Sequence, residues 1–109
     1  MYSITSTDNF KKQIKKYSKK FHSLADDLEE LYNILLKDPK SGISKGNNIY
    51  KLRLKNSDLK KGKNSGYRVI TYIIDEQKEI LLLTIYSKND LENISDQQID
   101  FLIEEAKNF

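Results

Sequence analysis

Residues 49–55 read IYKLRLK, with Tyr50, Leu52 and Leu54 on one side of the alternation and Lys51, Arg53 and Lys55 on the other. Strict period-two alternation calls for an extended backbone, because successive side chains on a strand point to opposite faces. It also calls for a half-buried strand, since the apolar side needs a core while the cationic side needs water or a polyanion. Two more strand-length runs follow, YRVITYIID at 67–75 and ILLLTIYSK at 80–88. The polar turn DEQKE joins them and is too short for a crossover, so they form an antiparallel hairpin. A chain with these three runs builds an antiparallel sheet, and its remaining residues must cover one face of that sheet.

The cover is legible upstream. Phe10, Ile14, Tyr17 and Phe21 recur at spacings of four, three and four, one face of a helix that Thr7 or Asp8 can cap. Leu24, Leu28, Leu31 and Leu35 repeat the pattern behind Ser23, which has Asp26 three residues on. Two such helices with almost no linker predict an αα-hairpin packed on the sheet, leaving the other face of the sheet free. Residues 2–6 read as a short opening strand, Pro39, Gly42 and Gly46 mark a loop, and Ser95 with Gln98 starts a last helix. The expected fold class is α+β in the order β-α-α-β-β-β-α. Its sheet is four-stranded and mainly antiparallel, with the helical hairpin on one face and a C-terminal helix, in a single domain spanning 1–109.

At 109 residues there is room for one modest core. No apolar run is long enough to span a bilayer, and the first residues lack the features of a secretory signal, so a cytoplasmic location and no membrane partner are expected. The absence of cysteine excludes disulfides and thiolate metal sites, and a single histidine, His22, leaves little material for a zinc centre. No cofactor is expected. The net charge of +3 conceals an uneven layout: residues 11–20 hold six lysines and no acid, while the segment from residue 89 onward holds six acids and one lysine. From Lys45 to Arg68 there are eight basic residues against Asp58 alone. A basic stretch followed by an acidic end points to a polyanionic ligand on one side of the molecule. Solvated lysine-rich faces produce the same count, so charge alone does not decide.

Side chains two apart on a strand point the same way at ~7 Å spacing, close to the separation of adjacent phosphates along a nucleic-acid strand. Lys51, Arg53 and Lys55 can therefore straddle such a backbone, although a solvated sheet face would look the same. Arg68 shifts the balance. It opens the next strand just after Asn64-Ser65-Gly66, no core needs an arginine there, and hairpin pairing sets it against the 49–55 strand. Tyr86 and Lys88 end the last strand, which runs back beside it, so sequence-distant cations converge on one corner with a phenol nearby. Without a histidine pair or an acidic metal cluster, one route to RNA cleavage is left: in-line attack by the RNA's own 2′-hydroxyl. Cations would stabilise the phosphoryl charge and help the leaving oxygen, and a lysine crowded by like charge would serve as base. Other candidates are weaker. KKGKNSG lacks the spacing of a P-loop and precedes a strand; Asp75, Glu76 and Glu79 read as a solvated turn, His22 as a capping or exposed residue, and Tyr17 and Tyr32 as packing.

The segments YKLRL, GKNSGYRVITYIID and LLLTIYSKND, in that order, resemble the RelE/ParE superfamily of toxin–antitoxin toxins, and most of all its RelE- and HigB-like messenger-RNA interferases. The resemblance covers nearly the whole chain, and G-K-x-S-G-x-R-V-I followed by Y-S-K is its most specific part. It implies a type II toxin that cleaves mRNA in the A site of the 70S ribosome without a metal, and a cognate antitoxin that covers the active face or displaces the C-terminal helix. By position, Lys51 and Arg53 match the paired basic residues that serve as base and charge stabiliser. Arg68 matches the arginine that grips the scissile phosphate. Lys88 stands where an arginine acts on the leaving group, which keeps the charge and loses the bidentate fork. The family's base-stacking tyrosine has no match; Ile94 lies near that place and Tyr86 is the nearest substitute. Lys55, Lys63 and Tyr86 are expected to bind substrate. ParE-like members share the fold but poison DNA gyrase through protein contacts and lack this basic set. An inactive fold-mate that merely binds RNA is a third reading. The presence of Lys51, Arg53 and Arg68 favours the nuclease.

Overall fold

The computed structural model describes residues 1–60 and 65–107. Among them run β1 (Ser3–Ser6), α1 (Asp8–Ser18), α2 (Leu24–Lys37), β2 (Ile43–Gly46), β3 (Ile49–Leu54), β4 (Tyr67–Ile74), β5 (Glu79–Ser87) and α3 (Asp96–Lys107). The class is α+β as expected, but the sheet has five strands, in the order β1-β5-β4-β3-β2, where four were expected. β1 pairs parallel with β5, and the other pairs are antiparallel. The additional strand is β2, read from sequence as a loop. All its residues are exposed, so no burial pattern marks it. It is held by backbone pairing to β3, with Ile43 opposite Lys51 and Ser44 opposite Tyr50, and a bulge before Gly46.

Two of the helix starts form as their caps predict. The Phe10 N–H donates to Thr7 Oγ1 at 3.2 Å. Ser95 and Gln98 cap each other reciprocally, each backbone N–H donating to the other's side-chain oxygen at 3.2 Å. Ser23 precedes α2 without a side-chain capping bond; its N–H donates instead to Asp58 Oδ2 at 2.9 Å. The α1–α2 hairpin buries Phe10, Tyr17, Phe21, Leu24, Leu31 and Leu35 against Leu52, Leu54, Tyr67, Val69 and Ile85 of the sheet. Tyr32, expected to pack, is exposed. Asp27 is buried on α2, and its carboxylate accepts from the Ser57 N–H at 2.9 Å and from the Ser57 hydroxyl. That pair pins the segment after β3 to the hairpin and satisfies a carboxylate removed from water.

The opposite face of the sheet is not free, contrary to expectation. α3 lays Ile99 and Ile103 over Ile49, Ile70, Leu81 and Leu83. Burial on both faces explains why β5 is apolar almost throughout where a half-buried strand would alternate. A bulge makes this possible: Thr84 pairs with Ile70 and Leu82 with Thr71, so Leu83 is an extra residue. It falls on the α3 side, while Leu82 and Ile85 stay on the hairpin side. Among the described residues, no helix is long and apolar enough to cross a membrane.

Candidate active site

Antiparallel register builds the site. Arg53 on β3 stands opposite Arg68 on β4, and Arg68 opposite Tyr86 on β5, a row across three strands. Beside that row, Lys51 stands between Ile43 on β2 and Ile70 on β4. Lys88 follows β5 directly, and its backbone N–H donates to the Gly66 carbonyl at 3.0 Å, fastening the end of β5 to the start of β4. Gly66 is required where it stands, because a Cβ there would collide with the Leu54 carbonyl oxygen. The structure thereby brings Lys51, Arg53, Arg68 and Lys88 to one pocket of about 170 Å³, which Ile43, Glu92 and Asn93 complete. No α3 residue lines it, so it lies on the α3 side of the sheet beyond the end of the helix's cover.

The four cations differ in exposure. Arg53 is exposed, and Lys51 and Lys88 are half-buried. Arg68 is not the surface group expected: only 3% of it is exposed. It sits on a strand flanked on both sides, so its neighbours Arg53 and Tyr86 cover it laterally. A guanidinium N–H of Arg68 donates to the Tyr67 carbonyl at 3.2 Å. Burial lowers the Arg68 pKa and Arg53 lowers it further, while Tyr86 opposes them; an arginine stays charged regardless. For Lys51 the consequence is chemical. Burial first, then Lys45, Arg68, Arg53 and Lys88, hold its pKa below that of an ordinary lysine. Its Nζ donates to Asn93 Oδ1 at 2.6 Å.

The remaining expected residues fall elsewhere. Lys55 follows the end of β3, is exposed, and does not line the pocket. Lys63 lies outside the described residues. Tyr86 adjoins Arg68 in register, but its ring packs with the α3-side core and is only 5% exposed, so it presents no open stacking surface. Burial raises its phenol pKa and Arg68 pulls the other way.

Glu92 and Asn93 were missed by the sequence reading, since nothing in LENIS marks them. They reach the pocket because the connection from β5 to α3 is fastened to α1. The Ser87 N–H donates to the Tyr17 hydroxyl oxygen, and the Tyr17 O–H donates to Asp90 Oδ2, both at 2.9 Å. Burial pushes the Tyr17 phenol up to about 12; the Ser87 N–H opposes this and Asp90 reinforces it. Tyr17 is thus more than packing. Among the described residues no three His, Cys, Asp or Glu side chains come together to hold a metal ion.

Comparison with solved structures places the fold. A double arginine-to-alanine variant of E. coli toxin RelE in the free state matches with a TM-score of 0.61 and 18% identity, covering 84% of this chain and 87% of that one. The fold is that of the RelE toxins. The intact E. coli RelBE toxin–antitoxin complex matches at 0.60 and 18% identity, over 80% of this chain and 96% of that one. Isolated E. coli RelE toxin matches at 0.60 and 16% identity, over 95% and 98%. No family model matches the sequence. On this RelE fold, the cationic pocket is built by β3, β4 and the segment after β5.

Proposed function

We propose that this RelE-fold protein is the toxin of a type II toxin–antitoxin pair, a RelE/HigB-like endoribonuclease that needs no metal and cuts mRNA in the A site of the 70S ribosome, in the cytoplasm. The observation that carries the reading is the pocket itself: Arg53, Arg68 and Lys88 around the half-buried Lys51, whose pKa is lowered by burial and by its neighbours. A lysine in that state gives up its proton more readily than an exposed lysine, and so is better suited to act as a base.

The reaction balances within the RNA. Lys51, as the neutral amine, takes the proton of the 2′-hydroxyl. The resulting alkoxide attacks the adjacent phosphorus in line, the bond to the 5′-oxygen breaks, and the Lys88 ammonium supplies the proton that oxygen needs. The products are a 2′,3′-cyclic phosphate and a 5′-hydroxyl. Arg68 and Arg53 donate to the phosphoryl oxygens as charge builds there, from positions set by the sheet before the substrate arrives. Tyr86 backs Arg68 from the buried side, and Lys55 and Lys63 contact flanking phosphates, giving affinity that falls with salt. The exposed lysines of α1 add contacts to ribosomal RNA of the same salt-dependent kind. A toxin–antitoxin complex among proteins of this fold supports an antitoxin protein as the physiological partner.

A translation assay with primer extension on the transcript tests the reading. The expected result is cleavage within codons occupying the A site. Growth arrest without transcript cuts, accompanied by gyrase-linked DNA breaks, would establish the gyrase-poison alternative in its place.

A further inference from the structure

Three residues of the cationic pocket come from neither strand nor helix: Lys88, Glu92 and Asn93, all in the connection between β5 and α3. Asn93 Oδ1 accepts a hydrogen bond from Lys51 Nζ at 2.6 Å. A charged lysine side chain offers donors and no acceptor, so the amide must turn its oxygen to it, and the geometry is dictated by chemistry. The connection that carries Asn93 is held at both ends. At its start, Tyr17 ties down Ser87 and Asp90, and the N–H groups of Asp90 and Leu91 donate to the Ser87 carbonyl at 3.0 and 3.1 Å. At its far end the reciprocal Ser95–Gln98 cap fixes the entry to α3. An exposed asparagine is thereby delivered to a half-buried lysine that the pocket crowds with like charge.

We propose that Asn93 is a positioning residue for Lys51, holding the amine so that its lone pair faces the RNA 2′-hydroxyl; this deepens the endoribonuclease reading and rests on it. A neutral amine has two N–H bonds and one lone pair. With one N–H engaged by Asn93 Oδ1, rotation about the last bond of the side chain is restricted and the lone pair is confined to the pocket side. The same acceptor serves the ammonium, so the group keeps its place before and after it takes the proton. A neutral amide does this without stabilising the charged form as a carboxylate would. The charged groups facing Lys51 are Lys45 from β2, Arg53 from β3, Arg68 from β4, Lys88 after β5, and Glu92 from the same connection as Asn93. The four cations favour the neutral amine, and a carboxylate at position 93 would tilt the balance toward the ammonium.

The test compares wild type, Asn93→Ala and Asn93→Asp as full-length proteins, by two measurements. One is the pH–rate profile of transcript cleavage on programmed ribosomes. The other is an NMR titration of the Lys51 Cε signal in the isolated protein. For Asn93→Asp we expect the Lys51 midpoint and the acid limb of the rate profile to move up together by about one pH unit, with activity recovering at alkaline pH. For Asn93→Ala we expect kcat to fall roughly tenfold to a hundredfold at every pH with KM little changed, and no upward movement of the midpoint. A general loosening of the connection would slow both variants alike and move neither midpoint, which would overturn the proposal. A Lys51 midpoint constant within about 0.2 unit across all three proteins would overturn it too. Wild type that cuts transcripts alongside variants with unchanged profiles would remove the role of Asn93 alone. Wild type that cuts no transcript would remove the endoribonuclease reading and this role with it.

Discussion

Replacing Arg68 separates what this side chain does for the reaction from what it does for the fold. It is 3% exposed, lies between Arg53 and Tyr86, and lines the pocket. In the reaction it is one preorganised donor to developing phosphoryl charge, and losing such a donor typically costs 10²–10³ in rate, about 2.7–4 kcal/mol of transition-state stabilisation. In the fold two effects oppose each other. Truncation to alanine removes a buried aliphatic stem worth about 2 kcal/mol at ~0.8 kcal/mol per methylene. It also relieves a buried charge set against Arg53, which offsets part of that loss. The net destabilisation of Arg68→Ala should stay below about 2 kcal/mol, against the 5–15 kcal/mol typical of a domain, a fall in Tm of roughly 15 °C at most. Arg68→Met keeps the stem and drops the charge, so it should be at least as stable as wild type and as slow as the alanine variant. Thermal melts followed by circular dichroism, run beside single-turnover cleavage on programmed ribosomes, read both quantities. An Arg68→Met protein that cuts at near the wild-type rate, or that melts far below wild type, refutes this reasoning.

Other perturbations probe the scaffold. Tyr17→Phe removes the acceptor of the buried Ser87 N–H and the donor to Asp90; urea unfolding should show a loss of about 1–3 kcal/mol, and a loss under about 0.5 kcal/mol counts against the anchoring role. The phenols of Tyr17, raised to about 12 from 10.0, and Tyr67, also raised by burial, hold their protons more tightly folded than unfolded. Their contribution to stability is therefore complete below pH 10 and is lost as pH rises through the folded values; Tm should fall between about pH 10 and 12, less steeply in Tyr17→Phe, and a flat alkaline profile would contradict the burial argument. Gly42 has φ +99°, and a Cβ there would collide with the Lys51 carbonyl. Gly42→Ala should lose more than about 1 kcal/mol and displace the β3 backbone beneath Lys51, slowing cleavage; a variant with wild-type stability and rate would show that β2 yields freely.

Much of the fold was legible because its determinants are local. The alternation of Tyr50, Leu52 and Leu54 with Lys51 and Arg53 sets β3 and its two faces, and the spacing from Phe10 to Phe21 and from Leu24 to Leu35 sets the helical hairpin. Thr7, Ser95 and Gln98 announce two helix starts through bonds to residues three positions away. The convergence of Arg53, Arg68 and Lys88 also followed from consecutive strands pairing antiparallel, which carries the end of one strand back beside the start of the next. What escaped was decided by partners distant in sequence. β2 has no apolar side and exists because β3 offers it unpaired backbone groups. The continuous ILLL of β5 signals a strand covered on both faces, but only the packing of Ile99 and Ile103 shows that α3 is the second cover. Arg68 reads as a surface cation and is buried because β4 has a strand on each side. Asn93 carries no chemical mark of its own and enters the pocket because Tyr17, far upstream on α1, holds Ser87 and Asp90. The sequence by itself determined which side chains must leave water and which must stay charged, because those are properties of each residue and its near neighbours. The tertiary structure alone decided which groups meet, because the depressed pKa of Lys51 and its bond to Asn93 arise from four separate segments brought to one corner of the sheet.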